Sequence, residues 1–263
     1  MKPKVSVHLG EEEYTTTHLC LDPLSPSLLS PVLIKPNLLN HANYPKGSIT
    51  EIETIRAVVE YLTEHDIDCF IGEAGFSKRL TTMAFEAIGL NKFCSERGIE
   101  LYNFFDSDPV DLETESFTVK VAEPVLQAKQ IFSLSKMKCH TIHGVTLSSK
   151  NLMGCIVGQR RVYFHSGKAL ASLIKAFTDK CDVIGIIDGI VGASYCENAG
   201  VPVNSGVVLA GENIIALDLV ALELMGFQKE DIPVYKYLEV PEYDLVGDKP
   251  PSFEFIKPIG WKS

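Results

Sequence analysis

Short apolar runs, several of them rich in β-branched residues, alternate with helical patterns along the chain, and this alternation restricts the fold more than any other feature. The runs lie at residues 31–35, 68–72, 131–134, 182–187 and 207–210. Nearly continuous apolar strands separated by helices are typical of parallel sheets that are covered on both faces. The sequence therefore predicts an α/β fold with a mostly parallel, doubly wound (Rossmann-like) sheet, flanked by helices and carrying irregular insertions.

Helix signals fill the gaps between these runs. Residues 50–53 (TEIE) form a possible capping box before an amphipathic helix that ends near Glu64. Further helices are expected up to Gly89, from about Ser148, and at residues 168–177 and 213–225. A length of 263 residues suits a single α/β unit, with two sub-lobes, 1–123 and 124–263, as a possible division.

Several classes of protein are disfavoured by composition. The net charge of −10 argues against a nucleic-acid-binding protein, and no apolar run approaches the roughly 18 residues of a membrane span. The first residues (MKPKVSVHLG) lack the apolar core of a signal peptide, so a cytoplasmic location is expected. The seven cysteines never lie within four residues of one another, so the chain shows no iron–sulfur or zinc-ribbon motif.

Charge is distributed very unevenly. Residues 124–178 contain no Asp or Glu, whereas about seven would be expected, and they hold eight of the Lys and Arg residues and three of the seven histidines. A basic segment in an acidic molecule attracts small anions. The alternative is a solvated basic face that balances acidic residues folded against it.

Candidate site residues follow from the geometry of an open α/β sheet, in which ligands bind beyond the carboxyl ends of the strands. Lys35 and Asn37, Glu73, the segment after Leu134, and Asp188 all follow predicted strands. We expect them to lie at one rim of the sheet.

The densest group of polar residues is the segment 136–151. Lys136, Lys138 and His140 alternate and would point to one side of an extended strand. Ser148 and Ser149 could cap a helix whose free N–H groups, with lysines around them, would hold an anion. A histidine beside that anion could transfer a proton near neutral pH. The predicted catalytic residues are His140, His143 and Lys150. The predicted ligand-binding residues are Lys35, Asn37, Glu73, Lys136, Lys138, Thr146, Ser149, Asn151 and Asp188.

A metal site is an alternative reading of the same segment. Cys139, His140, His143 and His165 could supply ligands, although the spacing of the first two histidines is not that of a helical zinc motif, and the neighbouring lysines would repel a dication. Nucleotide-binding glycine motifs and the G-x-S-x-G elbow are absent.

Four blocks of sequence resemble the family known as domain of unknown function 362. They are residues 32–37 (VLIKPN), 138–154, 187–189 (IDG) and 206–218 with the helix after them. The resemblance implies a shared fold and site and a possible redox context, because many relatives are joined to a ferredoxin-like iron–sulfur module that this chain lacks. It implies no particular activity.

A more distant similarity is to the catalytic domain of nickel-pincer lactate racemases. His140, Gly144 and Lys150 keep the intervals of that family's proton-transfer histidine, glycine and cofactor-anchoring lysine. His165 lies one residue out of register with its nickel-binding histidine. The similarity implies a site of related geometry and makes a nickel-pincer cofactor or another metal a candidate.

Three functional hypotheses remain. The first is an enzyme that acts on a small anionic metabolite by general acid–base chemistry, with an unidentified cofactor if any. The second is a non-catalytic protein whose basic segment docks a separate ferredoxin-like partner, without binding nucleic acid or membrane. The third is a protein that binds nickel or zinc.

Overall fold

A computed structural model describes residues 2–39 and 46–261 as a mixed β-sheet with helices on both faces. The strands are β1 (Lys4–Leu9), β2 (Val32–Pro36), β3 (Cys69–Glu73), β4 (Leu101–Asn103), β5 (Pro109–Glu113), β6 (Thr118–Ala122), β7 (Gln130–His140), β8 (Gly144–Thr146), β9 (Asp182–Ser194), β10 (Val201–Val203), β11 (Val207–Gly211) and β12 (Asp244–Gly247). The α-helices are α1 (Glu13–Leu24), α2 (Ile52–Glu64), α3 (Lys78–Ala87), α4 (Leu90–Arg97), α5 (Glu123–Gln127), α6 (Ser148–Asn151), α7 (Gly167–Lys180) and α8 (Ile214–Leu224).

Five parallel strands form the centre of the sheet, in the order β9-β7-β2-β3-β4. Numbered along the chain, this is the 3-2-1-4-5 order of an open Rossmann-like sheet, and it confirms the predicted fold class. The order reverses between β2 and β7. Ligands of such folds bind beyond the strand ends at that point.

Antiparallel strands extend the parallel centre on one side. β11 pairs antiparallel with β9, β1 pairs antiparallel with β11, and β12 runs parallel to β1 at the edge. β1, α1 and β12 carry no strong sequence signal and were not predicted. β5 and β6 form a separate hairpin within the acidic stretch 103–123.

Helices cover the two faces because successive strand residues point to opposite sides. On β7, Phe132 and Leu134 belong to the core beneath α1–α4, whereas Ile131 and Met137 belong to the core beneath α7 and α8. The buried stripe of α2 includes Ile55, Val58 and Leu62, as its periodicity predicts. Strands from both predicted sub-lobes, 1–123 and 124–263, belong to this one sheet. The division of the chain into sub-lobes stays a prediction.

The capping box predicted at residues 50–53 is wrong. Helix α2 has no side-chain cap at Glu51. The Thr50 hydroxyl instead accepts a hydrogen bond from Asn37 N–H (2.9 Å) and donates one to Leu134 O (2.9 Å). Thr50 therefore joins the end of β2 to β7 at the point where the strand order reverses.

Two strands are longer than their apolar runs. β7 continues through the basic residues to His140, and β9 continues through the glycines to Ser194, where a loop was expected. The strands pair in register as far as Lys136 and Asp188, and a register shift lies between Lys136 and Lys138. Asp188 therefore lies inside β9 and not beyond its end. Its buried carboxylate is tolerated there because Lys136, on the neighbouring strand, provides a partner.

Helices long and apolar enough to cross a bilayer are absent from the described part of the chain.

Candidate functional site

A cavity of about 430 Å³ lies at the carboxyl ends of β2, β3 and β7, where the strand order reverses. The structure brings eight of the sequence-predicted site residues to its walls, together with unpredicted ones. The predicted residues at the cavity are Asn37, Glu73, Lys138, His140, Thr146, Lys150, Asn151 and His165. The polar residues added by the structure are Gln159, Arg161, Glu197 and Asn198.

Lys35 and Glu73 form a buried ion pair at the base of this cavity, with Lys35 Nζ 2.6 Å from Glu73 Oε2. Asn151 holds the pair in place: its Oδ1 accepts from Lys35 Nζ (3.3 Å) and Asn37 Nδ2 (3.1 Å), and its Nδ2 donates to Lys35 O (3.0 Å). A Cβ atom at Gly154 would lie 2.2 Å from Glu73 Oε1 and 2.4 Å from Lys35 Nζ. The charge of Lys35 is thus already matched within the protein.

Lys136 and Asp188 form a second buried ion pair, with Lys136 Nζ 2.8 Å from Asp188 Oδ2. Thr54 on α2 donates its hydroxyl to the same carboxylate at 3.0 Å. Neither charged residue lines the cavity. The expectation that Lys136, Lys138 and His140 serve one site is therefore corrected, because only the last two reach it.

The N-terminus of α6 does not offer free N–H groups to a ligand. The backbone N–H groups of Ser148 and Ser149 donate to the Asp218 carboxylate at 2.8 and 3.0 Å. The Ser149 hydroxyl and Tyr235 hydroxyl (3.0 Å) donate to it as well. Burial raises the pKa of Asp218 to about 6, and these hydrogen bonds keep it from rising further. The chain's own carboxylate thus fills the predicted anion cradle, so Ser149 supports α6 and leaves Lys150 to face the cavity.

Three cations line the cavity without matching carboxylates. Burial, and then the charge of Lys150, lowers the pKa of Lys138 to about 7, while its Nζ donates to Ser48 O. Burial also lowers the pKa of Lys150 to about 8. Within residues 2–39 and 46–261, Lys150 Nζ has no hydrogen bond or ion pair. The guanidinium of Arg161 donates to the carbonyls of Gly75 and Ile156, which leaves its charge unneutralised.

Three histidines cluster beside these cations. The ring centroids of His140 and His143 are 5.1 Å apart, those of His143 and His165 are 4.9 Å apart, and those of His140 and His165 are 6.0 Å apart. Burial and the charge of Lys150 lower all three pKa values, that of His143 to about 3. All three imidazoles are therefore neutral at pH 7.

The hydrogen bonds of His140 favour one tautomer. Its Nδ1 accepts from the backbone N–H groups of Ile142 (3.1 Å) and His143 (3.3 Å), so its proton resides on Nε2, which lies 3.9 Å from Glu197 Oε1. Because two amides occupy Nδ1, His140 is suited to donate a hydrogen bond. The unpartnered nitrogens, His143 Nε2 and His165 Nδ1, are better suited to accept a proton. Of these two histidines, His165 lines the cavity, whereas His143 is buried and does not line it.

Glu197 fixes the turn between β7 and β8. Its Oε2 accepts from the backbone N–H (2.9 Å) and hydroxyl (2.8 Å) of Thr141, and Trp261 Nε1 donates to Thr141 O at 3.1 Å. Burial alone would raise the pKa of Glu197, but the bonds from Thr141 and the charge of Lys150 bring it below its usual value. No local motif marks Glu197, because the fold brings it to Thr141 from 56 residues away.

Several polar atoms at the cavity have no partner among the described residues. They are Asn37 Oδ1, Thr146 Oγ1, Gln159 Nε2 and His165 Nδ1. Buried polar atoms without partners are costly and rare in folded proteins. Their convergence on one cavity indicates a surface that is complementary to a polar ligand.

A resident metal does not fit these residues. Although the three imidazoles cluster, no group of three or more His, Cys, Asp or Glu in the described ranges is arranged to hold a metal ion. Cys139 is directed elsewhere: its thiol donates to Ile256 O (3.5 Å), and burial raises its pKa to about 12. The metal role of His165, and with it a nickel-pincer cofactor, stays a prediction that this geometry does not support.

Comparison of the sequence with known proteins relates this chain to a described family. A protein of Synechocystis sp., named as a thylakoid-associated protein, is 25% identical over 239 residues, which cover 87% of this chain and 71% of that protein. The sequence model of a family described as a domain of unknown function (DUF362) matches residues 32–223, which include β2, β3, β7 and every polar residue placed at the cavity. The chain therefore belongs to the DUF362 family.

Proposed function

We propose that this protein is an enzyme that binds a small anionic metabolite, a carboxylate or a phosphate, and transfers a proton to or from it. The observation that carries the proposal is the convergence of Lys138, Lys150 and Arg161 on one cavity without an equal number of carboxylates. Glu73 is paired with Lys35, and Glu197 is engaged by Thr141. An anionic ligand would supply the missing negative charge, and a confined cavity strengthens that attraction.

The proposed roles follow from the contacts. Lys138, Lys150 and Arg161 attract the anion, and the unpartnered Thr146 hydroxyl contributes a hydrogen bond. His140 donates through Nε2–H. His165 accepts the proton, because it lines the cavity and a neutral imidazole with a free ring nitrogen is a competent base.

Supporting residues act through those that line the cavity. The ion pair of Lys35 and Glu73 fixes the base of the site, and Ser149 fixes α6 through Asp218. Lys136 and Asp188 hold β7 and β9 together behind the site.

The ligand is also expected to have an apolar part. The lining of the cavity also includes apolar side chains, namely Leu39, Phe76, Phe105, Met153 and Val162. Phe76 and Val162 are 72% and 61% exposed, so their apolar surface at the cavity is open to a ligand. A carboxylate with a short hydrocarbon or aromatic body matches this combination of cations and apolar wall.

Docking of a ferredoxin-like partner receives less support from the same geometry. Lys136 and Lys138 are fully buried, so they cannot contribute to a basic docking face. Among the basic residues of segment 124–178, Lys129, Arg160 and Lys168 are exposed. An iron–sulfur context and a cytoplasmic location remain predictions.

Ligand binding to the purified protein tests the proposal. We expect calorimetry with a panel of carboxylates and phosphates, including lactate, hexanoate, phenylacetate and inorganic phosphate, to give a saturable signal. Lys150→Met should weaken binding at least tenfold, because a charge-assisted hydrogen bond contributes about 1.5–3 kcal/mol. Lys168→Met, which removes an exposed cation of the same segment, is the matched control.

Turnover separates the catalytic part of the proposal from binding. For a carboxylate found by this panel, His165→Ala, which removes the proton acceptor, and His140→Ala, which removes the hydrogen-bond donor, should each abolish exchange of the protons next to the carboxylate with deuterated water. Binding that is unaffected by Lys150→Met, or full exchange in His140→Ala, would contradict the assignment.

A further inference from the structure

We propose that Lys150 Nζ forms an imine with a ligand that carries both a carboxylate and a ketone or aldehyde group, such as a 2-oxo acid. This inference rests on the proposed function and names the class of its ligand. It depends on one difference between Lys150 and the other three lysines around the site.

Lys150 is the lysine of this group whose amine has no acceptor within the described residues. Lys35 Nζ contacts Glu73, Lys136 Nζ contacts Asp188, and Lys138 Nζ donates to the carbonyl of Ser48. Lys150 Nζ has no such contact, and its side chain lines the cavity. Its amine is therefore free to meet a ligand.

The surroundings of Lys150 favour the neutral amine. Arg161 is a cationic neighbour, and the three imidazoles close to Lys150 are neutral and offer no negative charge. Glu197 is the opposing carboxylate, but its Oε2 is already held by Thr141. Burial and a cationic neighbour are the conditions that convert a lysine into a nucleophile.

The fraction of neutral amine is correspondingly large. With its pKa lowered to about 8 by burial, Lys150 has roughly 100 times more neutral amine at pH 8 than a lysine with the ordinary value of about 10.4. Lys138 has a still lower pKa, but its Nζ is held by Ser48 O, so Lys150 is the expected site of reaction among the lysines that the structure describes.

The reaction balances without an oxidant or reductant. The lone pair of Nζ attacks the carbonyl carbon, and the carbonyl π electrons move to oxygen, which takes up a proton as nitrogen loses one. The resulting hydroxyl group leaves as water after a second protonation, while the nitrogen lone pair forms the C=N bond. His165, whose Nδ1 is unpartnered, is placed at the cavity to move these protons.

The remaining basic residues explain the requirement for a carboxylate. Once Lys150 is an imine nitrogen, Arg161 still lines the cavity as a cation and can bind the ligand's anionic end, and the Lys138 amine can donate a hydrogen bond to it. Neutral ketones lack that interaction. The site should therefore select oxo acids over neutral carbonyl compounds.

Reductive trapping tests the proposal directly. The full chain is incubated at pH 8 with pyruvate, 2-oxobutyrate or phenylpyruvate and sodium cyanoborohydride, and adducts are located by intact-mass measurement and peptide mapping. We expect the adduct on Lys150, at least tenfold above that on the exposed Lys92, and little adduct with hydroxyacetone. An excess of a ligand that binds in calorimetry but has no ketone or aldehyde group should protect Lys150 from adduct formation.

Two variants and one comparison complete the test. Lys150→Arg keeps the cation and should lose the adduct, whereas Lys92→Arg should keep it; thermal unfolding checks that both are folded. Absence of an adduct, or adducts spread equally over surface lysines, would overturn the imine. If lactate still binds in that case, the proposed function stands without it; if no anion binds and no adduct forms, both fail.

Discussion

The four lysines around the end of β7 fall into two regions that differ in one respect. Lys35 and Lys136 lie within the sheet, and each is within 2.8 Å of a buried carboxylate. Lys138 and Lys150 lie at the cavity, where the available carboxylates are already engaged. A buried charge with a partner holds elements together, whereas a buried charge without one costs stability and is kept for another reason. The comparison therefore separates lysines with a carboxylate partner from lysines without one, and the proposed function assigns ligand binding to the second group, although the sequence presents all four in similar contexts.

The largest expected effect comes from breaking a structural pair. Asp188→Asn removes the partner of Lys136 and leaves a buried cation unpaired, so we expect a loss of about 3–5 kcal/mol in the free energy of unfolding, measured with denaturant. Asp111→Asn, in the exposed pair with Lys120, is the control and should cost less than about 1 kcal/mol. Equally small losses in the free energy of unfolding for both variants would contradict the structural role given to the buried pair of Lys136 and Asp188.

A second variant disturbs a structural pair without changing any charge. Gly154→Ala places a methyl group within 2.2 Å of Glu73 Oε1, so Lys35 and Glu73 must move apart. We expect a loss of about 1–3 kcal/mol in the free energy of unfolding, as for other overpacked sites. Unchanged unfolding together with unchanged ligand binding would show that the base of the site is not held as tightly as its contacts indicate.

The cavity lysines should instead be recognisable from the pH dependence of ligand affinity. The pKa values of Lys138 and Lys150 are lowered to about 7 and about 8, so both are cationic at pH 6 and largely neutral at pH 9. Affinity for a carboxylate that has no ketone or aldehyde group should therefore fall about tenfold or more between pH 6 and pH 9, since about 1.4 kcal/mol corresponds to a factor of ten. Calorimetry in buffers of different ionisation enthalpy should also detect proton uptake on binding at pH 8. Affinity that is constant with pH would contradict this account.

The smallest expected effect is on stability at the cavity. Lys150→Met removes a cation that has no partner among the described residues, so its free energy of unfolding should change by less than about 1 kcal/mol, or increase. Lys35→Met is the matched comparison, because it leaves Glu73 unpaired and should cost about 3–5 kcal/mol. Similar losses in the two variants would mean that Lys150 is structural as well.

Much of the central sheet is predictable from local pattern. The apolar runs that became β2, β3, β9 and β11 are recognisable because their burial on both faces requires continuous hydrophobic residues. The ends of strands are harder to predict. Residues 135–140 and 188–194 contain lysines or glycines and resemble loops, yet the backbone ladder continues because tertiary partners satisfy the buried polar side chains.

The site is predictable only in part, for a related reason. The rule that ligands bind at strand ends identifies Lys35, Asn37 and Glu73, and the absence of acidic residues identifies the segment of Lys138 and Lys150. Neither signal shows that Asp218 fills the N-terminus of α6, or that Glu197 anchors the turn at Thr141, because both contacts join residues at least 56 positions apart. Arg161 lay within the basic segment, but only the fold distinguishes it from its exposed neighbour Arg160.

The anchored turn between β7 and β8 also provides a way to observe the site optically. Trp261 is the sole tryptophan of the chain, and its indole N–H donates to the carbonyl of Thr141, one residue from His140. A ligand that shifts this turn would change the polarity around the indole ring. Intrinsic fluorescence at 261 therefore gives a label-free signal for titrations and stopped-flow kinetics, and no dye or engineered probe has to be introduced near the cavity.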